Sequence, residues 1–384
     1  MYNTIRCDSE NKEALRQILP IYTHSPKIIY YGNCIGNLWA ALKRQCTVTA
    51  RPSIPFLAEL KEFMRNTIMP EIKDLLGDNF TYSYAVWYNH LKKSQQDSID
   101  KLIKCENLLK DCKAAVHCKG EKQANDGAKS AKNRCICGVC EERKFVMGPV
   151  IYALEQYFKN FPGYCGGMNW DELAAYYDTI IDYLICQTDI SGMDRSVSVE
   201  LKQVVHHELF TYISDFVTHV SKELFLSHAL IHNIKLEARI FGDLPFNLGS
   251  CIVHGTQCSG DCDTTFSNSF VSAVLKRFIQ LVLLKLIEAK TKNKGDDGID
   301  AILAIHKEAI IKAYNTVYIR ADFMKHEHAP FLVQHGCGMT LKFLKISDTT
   351  DIDFCSTETF YCDVCKHHRI TRMLERFITF TPWS

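Results

Sequence analysis

An α+β chain is expected from this sequence on three grounds. Apolar residues recur at helical spacing over several long stretches, apolar runs of strand length are few and short, and two of those short runs lead into an acidic or a hydroxyl-rich string. In 54–76, Phe56, Leu57, Leu60, Phe63, Ile68, Ile72, Leu75 and Leu76 follow helical intervals around Pro70, which predicts two helices. Residues 98–112 read as another amphipathic helix, and 119–133, rich in Gly, Asn and Lys, as a mobile loop. Pro149 suits the first position of a helix over 150–159, which stops before Phe161-Pro-Gly163. Asp171 is placed to cap a helix reaching about Tyr177. Residues 183–188 form a compact apolar run that predicts a buried strand delivering Asp189 at its carboxyl end. Ser196 or Ser198 then caps a long helix with Leu201, Val205, Leu209, Ile213 and Phe216 on one face. A short strand over 251–253 precedes the Ser259-Gly260 turn, and Phe266, Phe270, Val274, Phe278 and Val282, each four apart, mark the next helix.

With 384 residues the chain exceeds the usual single-core size, so two or three subdomains are expected, and 47% hydrophobic residues can fill their cores. A net charge of +1 argues against a coating protein that binds nucleic acid by bulk phosphate neutralisation, so any nucleic-acid path must be built locally. The first twenty residues carry Arg6, Asp8, Glu10, Lys12, Glu13 and Arg16 and form no apolar secretory leader. The most apolar run, 278–287, is interrupted by Gln280 and Lys285, so no transmembrane segment is expected. Eighteen cysteines without an export signal read as thiols rather than disulfides. Zinc is the alternative use of Cys135-x-Cys137-x2-Cys140 and Cys362-x2-Cys365-x-His367, with Cys105, Cys112, Cys118 or His368 as a further ligand.

Three strings carry the chemistry: Asp189-Ile-Ser-Gly-Met-Asp194, Ser259-Gly-Asp-Cys-Asp-Thr264-Thr-Phe-Ser-Asn268 and Gly295-Asp296-Asp297. Two separated acidic sites can hold a pair of Mg²⁺ ions for phosphoryl transfer, since carboxylate oxygens suit a hard cation. Between them, the middle string supplies hydroxyl and amide groups that can inspect a sugar, with Thr264 and Asn268 four apart on one helical turn. Each string alone is weak evidence, the middle one being the rarest, but their order and spacing point to template-directed nucleotide polymerisation. A helix cap and a turn asparagine are the purely structural roles for Thr264 and Asn268.

The three strings closely resemble those of RNA-directed RNA polymerases of tombusvirus-like positive-strand RNA viruses: Asp-x4-Asp, Ser-Gly-Asp-x2-Thr-x3-Asn and Gly-Asp-Asp. Gly338-Met-Thr-Leu-Lys342 is similar to that family's stretch around a lysine after the third motif, and Asp353-Phe-Cys-Ser356 to its Phe-Cys motif at the border of palm and thumb. Arg134-Cys-Ile136 and Phe145-x2-Gly148-Pro149 resemble the basic fingers motif lining the nucleotide channel. The likeness spans residues 129–356, and Arg51-Pro-Ser-Ile-Pro55 adds a looser similarity. Two features depart from the pattern. Lys290-Thr-Lys-Asn-Lys294 precedes Gly-Asp-Asp where relatives carry an apolar strand, and twenty-nine residues follow Cys355 where relatives carry a sizeable thumb.

The resemblance implies a right-hand polymerase fold with mainly helical fingers, a palm with an antiparallel central sheet, and a truncated thumb. Fingers would occupy 1–182, the palm with the first acidic motif 183–200, a fingers insertion 201–250, the palm 251–356 and the start of the thumb 357–384. It implies that Asp189 and Asp296, assisted by Asp297, hold two Mg²⁺ (or Mn²⁺) ions and that Lys342, with Lys345 as its neighbouring rival, donates a proton to pyrophosphate. Arg134 would grip the triphosphate beside Lys129 and Lys132, while Asp194 and Asn268, aided by Ser259, Gly260 and Thr264, would read the ribose 2′-hydroxyl. Implied partners are an RNA template and product strand, ribonucleoside triphosphates, and a membrane-anchored viral replication protein that holds the chain at replication complexes in the host cytoplasm. A reverse transcriptase, and a catalytically inactive palm-like or zinc-binding interaction protein, are the rival expectations.

Overall fold

A computed structural model describes residues 13–15, 27–30, 49–78, 80–104, 113–118, 123–125, 135–230, 233–240, 246–254, 257–320, 333–348, 352–355 and 357–372. The fold is mixed α+β and its organising element is a six-stranded sheet. Its strands are β1 (Gly163–Tyr164), β2 (Leu184–Ile190), β3 (Thr291–Lys294), β4 (Asp297–Ile302), β5 (Ile319–Arg320) and β6 (Thr340–Ser347). They lie in the order β5-β6-β2-β4-β3-β1. The four inner strands are antiparallel, but β5 runs parallel to β6 and β1 parallel to β3. The expected antiparallel sheet is therefore corrected to a mixed one. Each two-residue edge strand is separated from its partner by a long stretch of chain, and such a crossover is what parallel pairing requires.

Alternation along β2 sorts the two faces. Cys186 and Ile190 join the main core with Phe266, Phe270 and Val274 of the helix Thr264–Phe278, whereas Ile185 joins a second core with Ile299, Leu173, Tyr177 and Phe354. On the helix-covered face Lys276 is buried, yet its Nζ donates to Thr188 Oγ1 at 2.5 Å and lies 3.2 Å from Asp300 Oδ2. Gln280 Nε2 and the Tyr314 hydroxyl also donate to Asp300, so the buried charge pair is fully engaged.

Several helices depart from expectation for visible reasons. Residues 54–76 form Ile54–Phe63 and Met69–Leu76, joined by a π turn over Met64–Ile68 that accommodates Pro70. The helix expected to start at Pro149 runs from Glu141 to Phe158, with Pro149 in its interior. Proline removes the N–H that would serve Phe145 O, and His219 Nε2 stands 3.2 Å from that carbonyl and 3.1 Å from Val146 O. Burial holds His219 below its usual pKa, and its Nδ1 lies 2.6 Å from the Tyr82 hydroxyl, so the neutral ring donates through Nε2. Gly148 has a packing reason as well: a Cβ there would lie 2.6 Å from the Trp87 ring. Asn169, not Asp171, caps Trp170–Asp178 through a reciprocal box with Glu172. Ser198 caps Val199–Ser214 as one of the two expected caps, and the amphipathic helix near residue 100 spans Lys93–Ile103.

The region expected to form mainly helical fingers also contains a four-stranded sheet of Cys135–Val139, Lys113–Cys118, Asn233–Ile240 and Phe246–His254, in that order. The strand expected over 251–253 is thus the end of a longer one. Past β6, Asp353–Phe354, Thr357–Cys362 and His367–Arg372 form an antiparallel meander that packs on Trp170–Asp178, while the rest of the expected start of a thumb, 373–384, lies outside the described residues. Most of the expected loop 119–133, with Lys129 and Lys132, and Arg134 lie outside the described residues.

Candidate active site

The hairpin β3–β4 forms despite its polar first strand because that strand alternates. Thr291 and Asn293 point inward, where Thr291 Oγ1 donates to Ile299 O (3.0 Å) and Asn293 Nδ2 to Gly163 O (3.0 Å), while Lys292 and Lys294 point to the opposite face. Gly295 turns the chain at φ +64°, a conformation that favours glycine. The supporting helix fixes this turn: Gly295 N donates to Ser269 Oγ at 2.9 Å, and Ser272 Oγ donates to Gly295 O at 2.8 Å.

That hairpin brings the two distant acidic strings together. Asp297 stands opposite Asp189 in the β4–β2 ladder, and Asp296, exposed in the turn, accepts Ile190 N at its carbonyl (3.1 Å). Directly opposed side chains lie about 5 Å apart at their Cβ atoms and share one face of the sheet. Burial, and then the carboxylates of Asp296, Asp189 and Asp353, push Asp297 up to about 7 against the backbone N–H of Cys355, which donates to it. Cys355 adopts φ +56°, so the Asp353-Phe-Cys string acts at the acidic edge through its backbone, while Phe354 enters the second core.

Lys342 completes this edge. The β6–β2 register shifts between Leu341 and Phe343, which leaves Lys342 as the extra residue of a bulge, and its Nζ donates to Asp189 Oδ2 at 2.5 Å. Lys345 is paired with Gln187 on the same face as Asp189, and Lys294 is paired with Asp297 on that face at the other flank of the two carboxylates. Lysines thus flank the carboxylates, as a polyanionic ligand would require. The Gly338 string is anchored from behind: Ser53 N donates to Gly336 O at 2.9 Å, and a Cβ on Gly338 would meet Ala50 O at 2.7 Å.

The sugar-reading candidates divide into two groups. Asn268 Nδ2 donates to Asp194 Oδ1 at 2.9 Å, which fixes the amide orientation and leaves buried Asn268 Oδ1 with no partner. Ser259, Gly260 and Thr264 bond within the loop and to the neighbouring strand. Ser259 Oγ accepts from Cys137 N (3.3 Å), Gly260 N donates to Cys137 O (3.2 Å), and Thr264 Oγ1 donates to Asp261 O (3.0 Å) and Cys258 O. Gly260 is required because a Cβ would lie 2.5 Å from Ile136 Cγ2. Its small size thus answers to a neighbouring strand.

Two residues absent from the sequence reading support this loop. Arg143 Nε donates to Asp261 Oδ2 at 2.6 Å, its NH2 lies 3.2 Å from Asp263 Oδ2, and its NH1 donates to His228 O. Gln257 Nε2 donates to Asp263 Oδ1 at 2.5 Å. Lys202 is also buried beside this cluster, and burial followed by Lys202 lowers His206 to about 4, so that imidazole is neutral.

Among the described residues no three metal-ligating side chains already converge on one point. The acidic edge nevertheless fits a hard divalent cation: its donors are all carboxylate oxygens, burial and then the neighbouring carboxylates raise Asp297, and the Lys342 ammonium already occupies one carboxylate in a cation's place. Of the cysteine strings, Cys105, Cys112 and the side chains of Cys118 and Cys135 lie outside the described residues. In Cys362-x2-Cys365, N–H groups of Cys365 and Val364 help to lower Cys362, but His367 Nδ1 is 3.1 Å from Asp178, and Cys137 is sealed in the core. None of the described cysteines is disulfide-bonded. No protein-family model matches the chain and no curated protein matches it significantly.

Proposed function

We propose that this chain is an RNA-directed RNA polymerase that replicates a viral RNA genome from ribonucleoside triphosphates, with the six-stranded sheet as its palm. The observation that carries the proposal is the β2–β4 register, which brings Asp189 and Asp297 together at one open edge with Asp296 in the adjoining turn. The partnered Asp194–Asn268 site, five residues beyond Asp189 in the chain, and the flanking lysines add independent support. Asp189, Asp296 and Asp297 would hold two Mg²⁺ or Mn²⁺ ions, which supply Lewis-acid activation of a 3′-hydroxyl and charge neutralisation of the triphosphate.

The reaction joins the 3′-oxygen of the growing strand to the α-phosphorus of the incoming nucleotide and releases pyrophosphate. The chain's part is position and charge. Asp194 holds Asn268 so that its buried, unpartnered Oδ1 is kept as an acceptor for a ribose 2′-hydroxyl, a group that deoxyribonucleotides lack. Lys342 leaves Asp189 to donate its Nζ proton to the departing pyrophosphate. Pairing with the template selects the base. Attachment to a replication membrane would fall to a partner protein; among the described residues no helix is long and apolar enough to cross a membrane.

The test is incorporation of labelled ribonucleotides on an RNA template with Mg²⁺ or Mn²⁺, comparing wild type with Asp296→Ala. Template-dependent synthesis lost in the variant supports the proposal, and equal incorporation by both proteins rejects it. Incorporation of deoxyribonucleotides in preference to ribonucleotides would point to a reverse transcriptase.

A further inference from the structure

Asp194 and Asn268 belong to a closed ring of hydrogen bonds that passes through residues outside the nucleotide site. Asp194 O accepts from Gln257 N at 2.7 Å, and Gln257 Nε2 donates to Asp263 Oδ1. Asp263 in turn accepts from Ser267 twice, through its backbone carbonyl (2.7 Å) and through Oδ2 (3.1 Å). Asn268 follows Ser267 and returns to the Asp194 carboxylate. Gln257 is 2% exposed and Asp263 3%, so these bonds form away from water, where their geometry is closely held.

We propose that Gln257 is a positioning residue for ribose selection, holding the start of the helix Thr264–Phe278 against Asp194 so that Asn268 presents its acceptor oxygen. This inference rests on the polymerase reading above. Gln257 is a second bridge between the two sides of the ring, beside the Asp194–Asn268 bond itself: its backbone N–H holds the Asp194 segment and its side chain holds the start of the helix. Asn268 keeps its orientation only while its amide nitrogen reaches the Asp194 carboxylate. A small slip of the helix breaks that bond and frees the amide to rotate. A site built to meet a hydroxyl discriminates strongly against the analogue lacking it, and a mobile acceptor forfeits that preference. Arg143, bonded to Asp261 and Asp263 from the neighbouring helix, supports Asp263 from outside the ring.

The experiment measures kcat and KM for a ribonucleoside triphosphate and its 2′-deoxy counterpart on a primed RNA template, in wild type, Gln257→Met and Ser267→Ala. Gln257→Met keeps the backbone N–H and loses the side-chain donor. Its ribose preference should fall about tenfold, mainly through a higher KM for the ribonucleotide, with kcat for that substrate nearly unchanged. Ser267→Ala removes a hydroxyl and little volume, should lower the preference about threefold, and carries the test if Gln257→Met does not fold. A merely structural role would slow both substrates equally, and an unchanged ratio in the folded variants overturns the inference. Should wild type incorporate neither substrate, the polymerase reading fails and this inference with it; should wild type prefer ribonucleotides and both variants keep its ratio, the inference alone fails.

Discussion

Two pairs of aspartates about thirty-five residues apart, Asp261 with Asp263 and Asp296 with Asp297, meet opposite fates in this fold. The first pair is sealed between helices and answered by buried cations: Arg143 bonds to both, and Lys202 lies beside Asp263. Burial lifts Asp261 to about 6 against Arg143, while Arg143 and Lys202 hold Asp263 below the usual carboxylate range in spite of its burial. The second pair gathers Asp189 and Asp353 around it at an open edge, and Lys342 bonds to Asp189. A carboxylate cluster neutralised within the fold is a fastening, whereas one left in mutual repulsion at an accessible edge is ready for an added cation.

The sharpest break between the pairs should come from activity against stability. Asp189→Ala should reduce nucleotide incorporation by about a thousandfold or more while leaving the thermal midpoint unchanged or raised, because it removes a repelling charge. Arg143→Met should do the converse, stranding two buried carboxylates at a cost of about 3–5 kcal/mol, read by denaturant unfolding. If Asp189→Ala unfolded the chain, or Arg143→Met were neutral to stability, the contrast would be lost.

Lys342→Ala should lower kcat by about 10- to 100-fold, as expected for loss of a proton donor, while tightening Mn²⁺ binding measured by calorimetry because the competing ammonium is gone. A weaker Mn²⁺ affinity would show that Lys342 does not stand in a cation's place. The smallest effect concerns pH. Asp297 is raised from an ordinary 3.8 to about 7, so the folded chain retains a proton that the unfolded chain releases, and stability without divalent ions falls as pH rises from about 4 to 7. Asp297→Asn should flatten that part of the thermal-midpoint profile, and an unchanged slope would assign it to other groups.

Legibility in the sequence followed the reach of each interaction. The strand bearing Asp189, the Ser198 cap and the helix of Phe266, Phe270 and Val274 were readable because apolar period and capping are local. Pro149 misled because the donor that serves its orphaned carbonyl, His219, lies more than seventy residues away. The hairpin at Gly295 was understated because Thr291 and Asn293 fill inward positions with hydrogen bonds instead of apolar surface. Arg143 went unread because its partners are 118 and 120 residues distant. Lys342 was readable as a residue, but its contact with Asp189 depends on a bulge that no spacing rule announces.

The acidic edge can be tested most directly by Mn²⁺ binding at pH 8, followed by electron paramagnetic resonance or calorimetry, in wild type and Asp189→Asn. Cooperation between the separated strings predicts Mn²⁺ binding in wild type that weakens at least about tenfold in the variant, with the fold intact. Equal affinity in the two proteins, or no binding in wild type, would contradict a shared cation site formed by Asp189, Asp296 and Asp297.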